Sequence, residues 1–253
     1  MNLPTIFKKS CNKTVDNFEG LGYTSVRKVV TKQFTTKNIS EEKKMKIAVV
    51  AANGKAGSLI VKEAVARGFE VTAIVRGENK TVAQQVLQKD VFDLTADDVI
   101  GFDAVVDAVG AWTADTVHMV PDAAKHLAAI LKDSQTRLLV VGGAASLYVN
   151  PEHTLTVADV TEFPAEVLPV LNAHKEALEA LRQVDDVNWT YVSPAGDFQA
   201  DGERTGRYIL GGEELVLNSK GESVISYADY AIGMIDEIAS GDHLKARISL
   251  VSE

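Results

Sequence analysis

The stretch KIAVVAANGKAG, Lys46 to Gly57, decides how the rest of the chain is read. KIAVVA (46–51) is a short continuous apolar run, the pattern of a strand buried on both faces of a parallel sheet. It leads directly into Ala51-Ala52-Asn53-Gly54-Lys55-Ala56-Gly57. Beyond it Ala56, Ile60, Ala64 and Val65 recur at helical spacing until Gly68 closes the helix. Gly54 and Gly57 carry no side chain, so backbone can approach a pyrophosphate and the helix can pack close to the sheet. The free N–H groups and dipole of a helix start favour an anion at this point. A glycine pair alone is a weak signal, and a tight turn without a ligand would read the same. At the first strand-to-helix turn of a βαβ array the pair is a much stronger one.

Strand and helix patterns alternate outward from this turn. EVTAIV (70–75) reads as a second strand, 80–88 as a helical segment and DVF (90–92) as a short third strand. DAVVDAV (103–109) is the fourth strand, and Val117, Val120, Ala124, Leu127 and Leu131 mark a helix. RLLVVGG (137–143) is the fifth strand, 165–183 a helix, and NWTYVS (188–193) a sixth strand stopped by Pro194. Residues 195–223 break the rhythm and predict a small irregular substrate lobe. A helix over about 226–240 and the strand ARISLVS (246–252) follow. The alternation predicts an α/β fold, a Rossmann-like doubly wound parallel sheet with helices on both faces and a small irregular C-terminal lobe.

Charge divides the chain at the same place. Of its 26 Lys and Arg and 35 Asp and Glu, residues 1–44 hold nine and four, a net of +5, and residues 45–253 a net of −14. The two parts read as a basic, poorly ordered extension (1–44) and an NAD(P)-binding domain (45–253). Three readings of the extension compete: a dispensable leader with Met45 as the natural first residue, a short arm for a partner or nucleic acid, and an organelle-targeting peptide. The last is weakened by Lys in place of Arg and by Asp16 and Glu19. The overall charge of −9 argues against nucleic acid as the main partner. No apolar run is long enough for a membrane span, Cys11 is the lone cysteine, and no secretory signal is visible, which together imply a cytoplasmic location.

Three further strand ends carry candidate cofactor contacts. The second strand ends at Val75-Arg76, where NAD-preferring sites usually carry an acidic residue for the ribose hydroxyls. A guanidinium there, with Lys80 close behind, suits a 2′-phosphate and predicts NADP(H) over NAD(H), with NAD(H) as the alternative. A solvated loop arginine would look the same. Asp90 could accept the adenine amino group while Val91 packs on the ring, and Gly110, after the fourth strand, would let the nucleotide lie close. Short residues at strand ends are also ordinary turn formers.

The segments IAVVAANGKAG, EAVARGFEVTAIVR, RLLVVGGAASL (137–147), WTYVSPAGDF (189–198), GERTGRYILGG (202–212) and SVISYADYAIGMIDEI (223–238), in this order, resemble the atypical short-chain dehydrogenases, specifically the NmrA-like group provisionally named NADH-flavin reductases. The resemblance covers about 45–253 and leaves 1–44 aside. It implies nucleotide contacts at Asn53, Gly54, Lys55, Ala56, Gly57, Arg76, Asp90, Val91 and Gly110, and a nicotinamide bordered by Gly142, Gly143 and the residues up to Ser146. Two departures stand out. The family turn usually opens with glycine where this chain has Ala51, which a negative φ would tolerate. The group's name also specifies NADH, against which Arg76 argues.

Most short-chain dehydrogenases protonate a carbonyl oxygen with a Tyr-x-x-x-Lys pair. The matching stretch here, VLPVLNAHKEALEALRQV (167–184), has no tyrosine; His174 and Lys175 stand in the region instead. Hydride transfer to a flavin or quinone can proceed by stacking the acceptor on the nicotinamide, so reduction of such a small-molecule acceptor fits, with flavin as acceptor and not as a bound prosthetic group. A non-catalytic NADP(H)-binding redox sensor, a trait of some NmrA-like proteins, fits too, as does an isomerase or carbonyl reductase using His174 as its acid. Ser146 is either a hydrogen-bond partner of the nicotinamide or acceptor, or a plain loop-start serine. Trp112 either stacks on the acceptor or packs. Asp107, in a strand predicted to be buried, requires a partner. Glu203 and Arg204 are expected to pair with each other. The scattered His118, His126, His153 and His243 predict no metal site.

Overall fold

The structure, a computed structural model, describes residues 28–30 and 44–253. Its strands are β1 (Lys28–Val30), β2 (Lys46–Val50), β3 (Glu70–Val75), β4 (Gln85–Gln88), β5 (Ala104–Asp107), β6 (Arg137–Val141), β7 (Asn188–Ser193), β8 (Asp197–Gln199), β9 (Tyr208–Gly211), β10 (Val224–Ser226) and β11 (Ala246–Ser252). Its helices are α1 (Lys55–Ala66), α2 (Ala96–Val99), α3 (Met119–Ile130), α4 (Val157–Val160), α5 (Leu168–Arg182) and α6 (Tyr227–Ser240). A nine-stranded sheet runs β1-β9-β11-β7-β6-β5-β2-β3-β4, and β10 pairs with β8 beside it. From β11 to β4 every neighbour is parallel; β9 and β1 add antiparallel pairings at the far edge.

The order β4-β3-β2-β5-β6-β7 is that of a dinucleotide-binding α/β fold, and the direction of winding reverses between β2 and β5. Ile47, Ala48 and Val49 are fully buried, because helices cover both faces. On one face α1 and α6 enclose Ile47, Val49, Val71, Val106, Leu139 and Ile248. On the other α3 and α5 enclose Ala48, Val50, Val105, Leu138, Val140 and Tyr191. This two-sided burial makes the strands read as unbroken apolar runs.

The helix expected over 80–88 is corrected. No helix forms there; Gln85–Gln88 is the parallel edge strand β4, and its mostly exposed side chains hide any strand alternation. Gln84 joins the ladder through its side chain, its Oε1 accepting from Val71 N–H and its Nε2 donating to the Phe69 carbonyl. DVF is likewise not a strand. Asp90 caps a single 3₁₀ turn over Val91–Asp93 by accepting from Phe92 N–H. Of the extension, the described part is β1, antiparallel to β9; the remaining expectations for 1–44, Cys11 among them, lie outside the described residues.

Candidate functional site

The Ala51–Gly57 turn sits at the C-terminal end of β2, beside the point where winding reverses. Ala51 has φ of 56°, a left-handed conformation that costs an L-residue about 1 kcal/mol. The expected negative φ is therefore not what allows alanine here; the turn keeps its shape despite the methyl group. The Ala51 carbonyl accepts from Gly54 N–H at 2.9 Å and closes the turn. A Cβ on Gly57 would stand 2.7 Å from the same oxygen and 3.1 Å from Ala52 Cα, so glycine is required. Helix α1 begins at Lys55 with no side-chain cap on Gly54 and no acidic residue in its first turn. Its positive end is left for an anion.

Asn53 reaches sideways from the turn. Its Nδ2 donates to the Glu78 carbonyl at 2.8 Å and its Oδ1 accepts from Lys80 N–H at 2.8 Å. Arg76, at the end of β3, has its side chain 73% exposed, with Nη1 3.9 Å from Asp90 Oδ2. Its carbonyl accepts from Gln88 Nε2. Arg76, Lys80, Asn53 and Asp90 thus gather at neighbouring strand ends, while Val91 is buried against the α3/α5 face of the sheet.

Across the reversal point, Gly110, Gly142 and Gly143 follow the ends of β5 and β6. A Cβ on Gly142 would overlap the Tyr191 ring at 2.3 Å, and one on Gly143 would meet the His174 ring at 3.0 Å. The Tyr191 phenol donates to the His174 carbonyl at 2.9 Å and accepts from Gly143 N–H at 3.1 Å. His174 is half-buried, with Nδ1 sealed from solvent and unpartnered among the described residues. Burial pushes its pKa down to about 4. Ser146 Oγ accepts from Arg247 Nη1 at 3.0 Å. Asp107 is 2% exposed and its Oδ1 accepts from Val109 N–H at 3.0 Å; burial pushes its pKa up to about 7, against that one hydrogen bond.

The NAD(P)H-binding family profile matches residues 51–239. The chain belongs to that family. It is 49% identical to YwnB of Bacillus subtilis (strain 168), an uncharacterized protein, over 212 residues that make up 83% of this chain and 99% of the relative. Among solved structures it is similar to SP1627 of Streptococcus pneumoniae TIGR4, provisionally named an NADH-flavin reductase. There the identity is 53% and the TM-score 0.81, covering 83% of this chain and 100% of the other. A protein of Bacteroides thetaiotaomicron provisionally named an epimerase follows at 34% identity and a TM-score of 0.73, covering 83% and 98%.

The turn fits the pyrophosphate of this family's cofactor: Gly57 lets α1 start tight against the Ala51 carbonyl and Ala52, where a Cβ would collide, and no acidic group stands in the first turn of α1. Lys55, Ala56 and Gly57 lie on that first turn, whereas the Asn53 carboxamide is already engaged by the β3–β4 loop. Trp112 is 56% exposed, and its Nε1 would lie 4.0 Å from a Cβ on Gly110, so the indole folds back over that glycine. Arg204 pairs with Glu63 of α1 at 3.0 Å, not with Glu203.

Three residues that the sequence reading missed shape the site. Tyr191 joins β6 to α5. Arg247 has a fully buried side chain and holds the Ser146 carbonyl and Oγ together with the Glu213 carbonyl and carboxylate. Asp229, at the start of α6, accepts from Thr205 N–H, Thr205 Oγ1 and Gly206 N–H and so fixes the GERTG loop. A charged residue inside an apolar strand, as in ARISLVS, was the available signal, because such a group requires a partner. Among the described residues no group of His, Cys, Asp or Glu could hold a metal ion, and no helix is long and apolar enough to cross a membrane.

Proposed function

We propose that the chain is an NADPH-preferring, cytoplasmic oxidoreductase that reduces a flavin- or quinone-like small molecule. The observation that carries this reading is the lack, among the described residues, of a ready proton donor around the strand ends of β5 and β6. No tyrosine stands on α5, and the Tyr191 phenol already donates to the His174 carbonyl; Ser146 Oγ accepts from Arg247 and keeps its O–H, a hydroxyl that can hydrogen-bond an acceptor but is too weak an acid to protonate it readily. His174, with its pKa near 4, is neutral at neutral pH and is not an imidazolium acid there. Such a site is poorly equipped for carbonyl reduction and well suited to a flat acceptor that takes its proton from water.

The provisional name of the Streptococcus relative supports the same acceptor class. Bound NADPH would supply the hydride. The residues of this chain would bind and orient the cofactor: the α1 N-terminus would meet the pyrophosphate, Arg76 and Lys80 would favour the 2′-phosphate, and Gly142 and Gly143, packed against Tyr191 and His174, would border the nicotinamide. The test is NADPH oxidation measured with free flavin and with quinones, for the wild type and His174→Ala. Turnover of either acceptor that survives His174→Ala is expected. Tight NADPH binding without turnover of any acceptor would replace this reading with a redox sensor. Carbonyl reduction lost in His174→Ala would replace it with a histidine-acid reductase.

A further inference from the structure

We infer that Asn53 is the residue that sets the reach of the 2′-phosphate subsite, acting on cofactor selectivity through the loop after β3. The inference rests on the NADPH reading above. A residue in a phosphate-binding turn ordinarily serves the ligand, yet both ends of this carboxamide are spent within the protein. Nδ2 donates to the Glu78 carbonyl and Oδ1 accepts from Lys80 N–H, each at 2.8 Å, across 25 and 27 residues of sequence. The side chain thus behaves as one extra rung between the β2–α1 turn and the β3–β4 loop, and it fixes both sides of Asn79.

The loop is held at its other end too. Gln88 Nε2, from the last residue of β4, donates to the Arg76 carbonyl at 3.3 Å. Residues 76 to 80 therefore hang between two side-chain amides. The cations they carry are free to take an anion: Lys80 is exposed, and the Arg76 guanidinium is 73% exposed, with only a 3.9 Å approach to Asp90. Exposed flexible cations bind a phosphate weakly because ordering their chain costs entropy; a loop already fixed at both ends removes much of that cost. Asn53 is thus a positioning residue. Its loss leaves the glycines and the α1 N-terminus, which serve NADPH and NADH alike, and loosens only the part that tells them apart.

The test is a comparison of Kd values for NADPH and NADH in the full chain, for the wild type, Asn53→Ala, Asn53→Ser, Arg76→Ala and the Asn53→Ala/Arg76→Ala double variant. Asn53→Ala and Asn53→Ser are expected to lower the NADPH-to-NADH preference about tenfold with NADH affinity unchanged, equivalent to about one charge-assisted contact. The double variant should lose little more preference than Arg76→Ala, since both changes act on one unit. Hydrogen exchange at the Lys80 amide is expected to quicken in Asn53→Ala without any cofactor. An equal loss of NADPH and NADH affinity would overturn the inference by placing Asn53 on the shared pyrophosphate, and so would an unchanged preference. A wild type that binds the two cofactors equally would instead overturn the NADPH reading itself.

Discussion

The carbonyl oxygen of Ala51 stands 2.7 Å from where a Cβ on Gly57 would lie. The contact is with backbone that is itself held by the Gly54 N–H, so the oxygen cannot yield as the tip of a side chain would. Gly57→Ala is therefore expected to cost about 1–3 kcal/mol by overpacking and to abolish cofactor binding by opening the turn. Thermal unfolding together with a dinucleotide titration checks both, and a variant of unchanged Tm and affinity would contradict the geometry.

At the other end of the same contact, Ala51 occupies a left-handed conformation at φ of 56°. Glycine takes up that conformation without steric cost, although it gives the unfolded chain more freedom. The first effect is the larger one, so Ala51→Gly should stabilise the protein by about 0.5–1 kcal/mol and leave cofactor affinity at least as high. Denaturant unfolding of the two forms is the measurement, with an unchanged m-value confirming that stability alone has moved.

Tyr191→Phe would remove one phenol and strand the Gly143 N–H, while the His174 carbonyl keeps its place in the α5 ladder. An unpaired buried group costs about 1–3 kcal/mol. The ring itself stays, so the core is little disturbed and the loss should appear locally. Gly143 and His174 are expected to shift, lowering kcat for acceptor reduction more than NADPH affinity.

The strands EVTAIV, NWTYVS and ARISLVS form with the bounds read from sequence, because burial on both faces leaves each rich in apolar and β-branched residues between polar turns. β4 was illegible for the opposite reason: an exposed edge strand shows neither a two-residue nor a helical period. In the site, the glycine turn and Arg76 were readable because their chemistry is local. Tyr191 and Arg247 were not, since they act on Gly143 and Ser146 from 48 and 101 residues away. Asp107 was recognised as a buried group in need of a partner, but its partner, the Val109 N–H, is a backbone atom that no side-chain pattern announces.

His174 binds its proton near pH 6.5 in an unfolded chain and near pH 4 when folded, because burial disfavours the imidazolium. Between those values the unfolded state holds more protons, so this group's contribution to stability is full above about pH 6.5 and is lost as pH falls toward 4. His174→Phe should remove that rise, so the Tm of the wild type minus that of the variant should grow as pH is raised from about 4 to about 6.5. A difference that stays constant over that range would show that the imidazole is not desolvated.

Asp107 works in the opposite sense. Burial raises its pKa from 3.8 to about 7, so between those values the folded state holds the extra proton. Stability from this group is therefore greatest below about pH 4 and declines as pH rises to about 7, beyond which a buried carboxylate with one hydrogen bond remains as a standing cost. Asp107→Asn keeps the Oδ1 that accepts from Val109 N–H and removes the charge. It should stabilise the fold at pH 8, by an amount on the order of a few kcal/mol, and have little effect at pH 4. Because the slopes of His174 and Asp107 oppose each other over much of the same range, the wild-type curve alone is uninformative. The difference curve of wild type minus Asp107→Asn isolates the carboxylate. A difference that does not change between pH 4 and pH 8 would mean that Asp107 ionises as an ordinary solvated carboxylate.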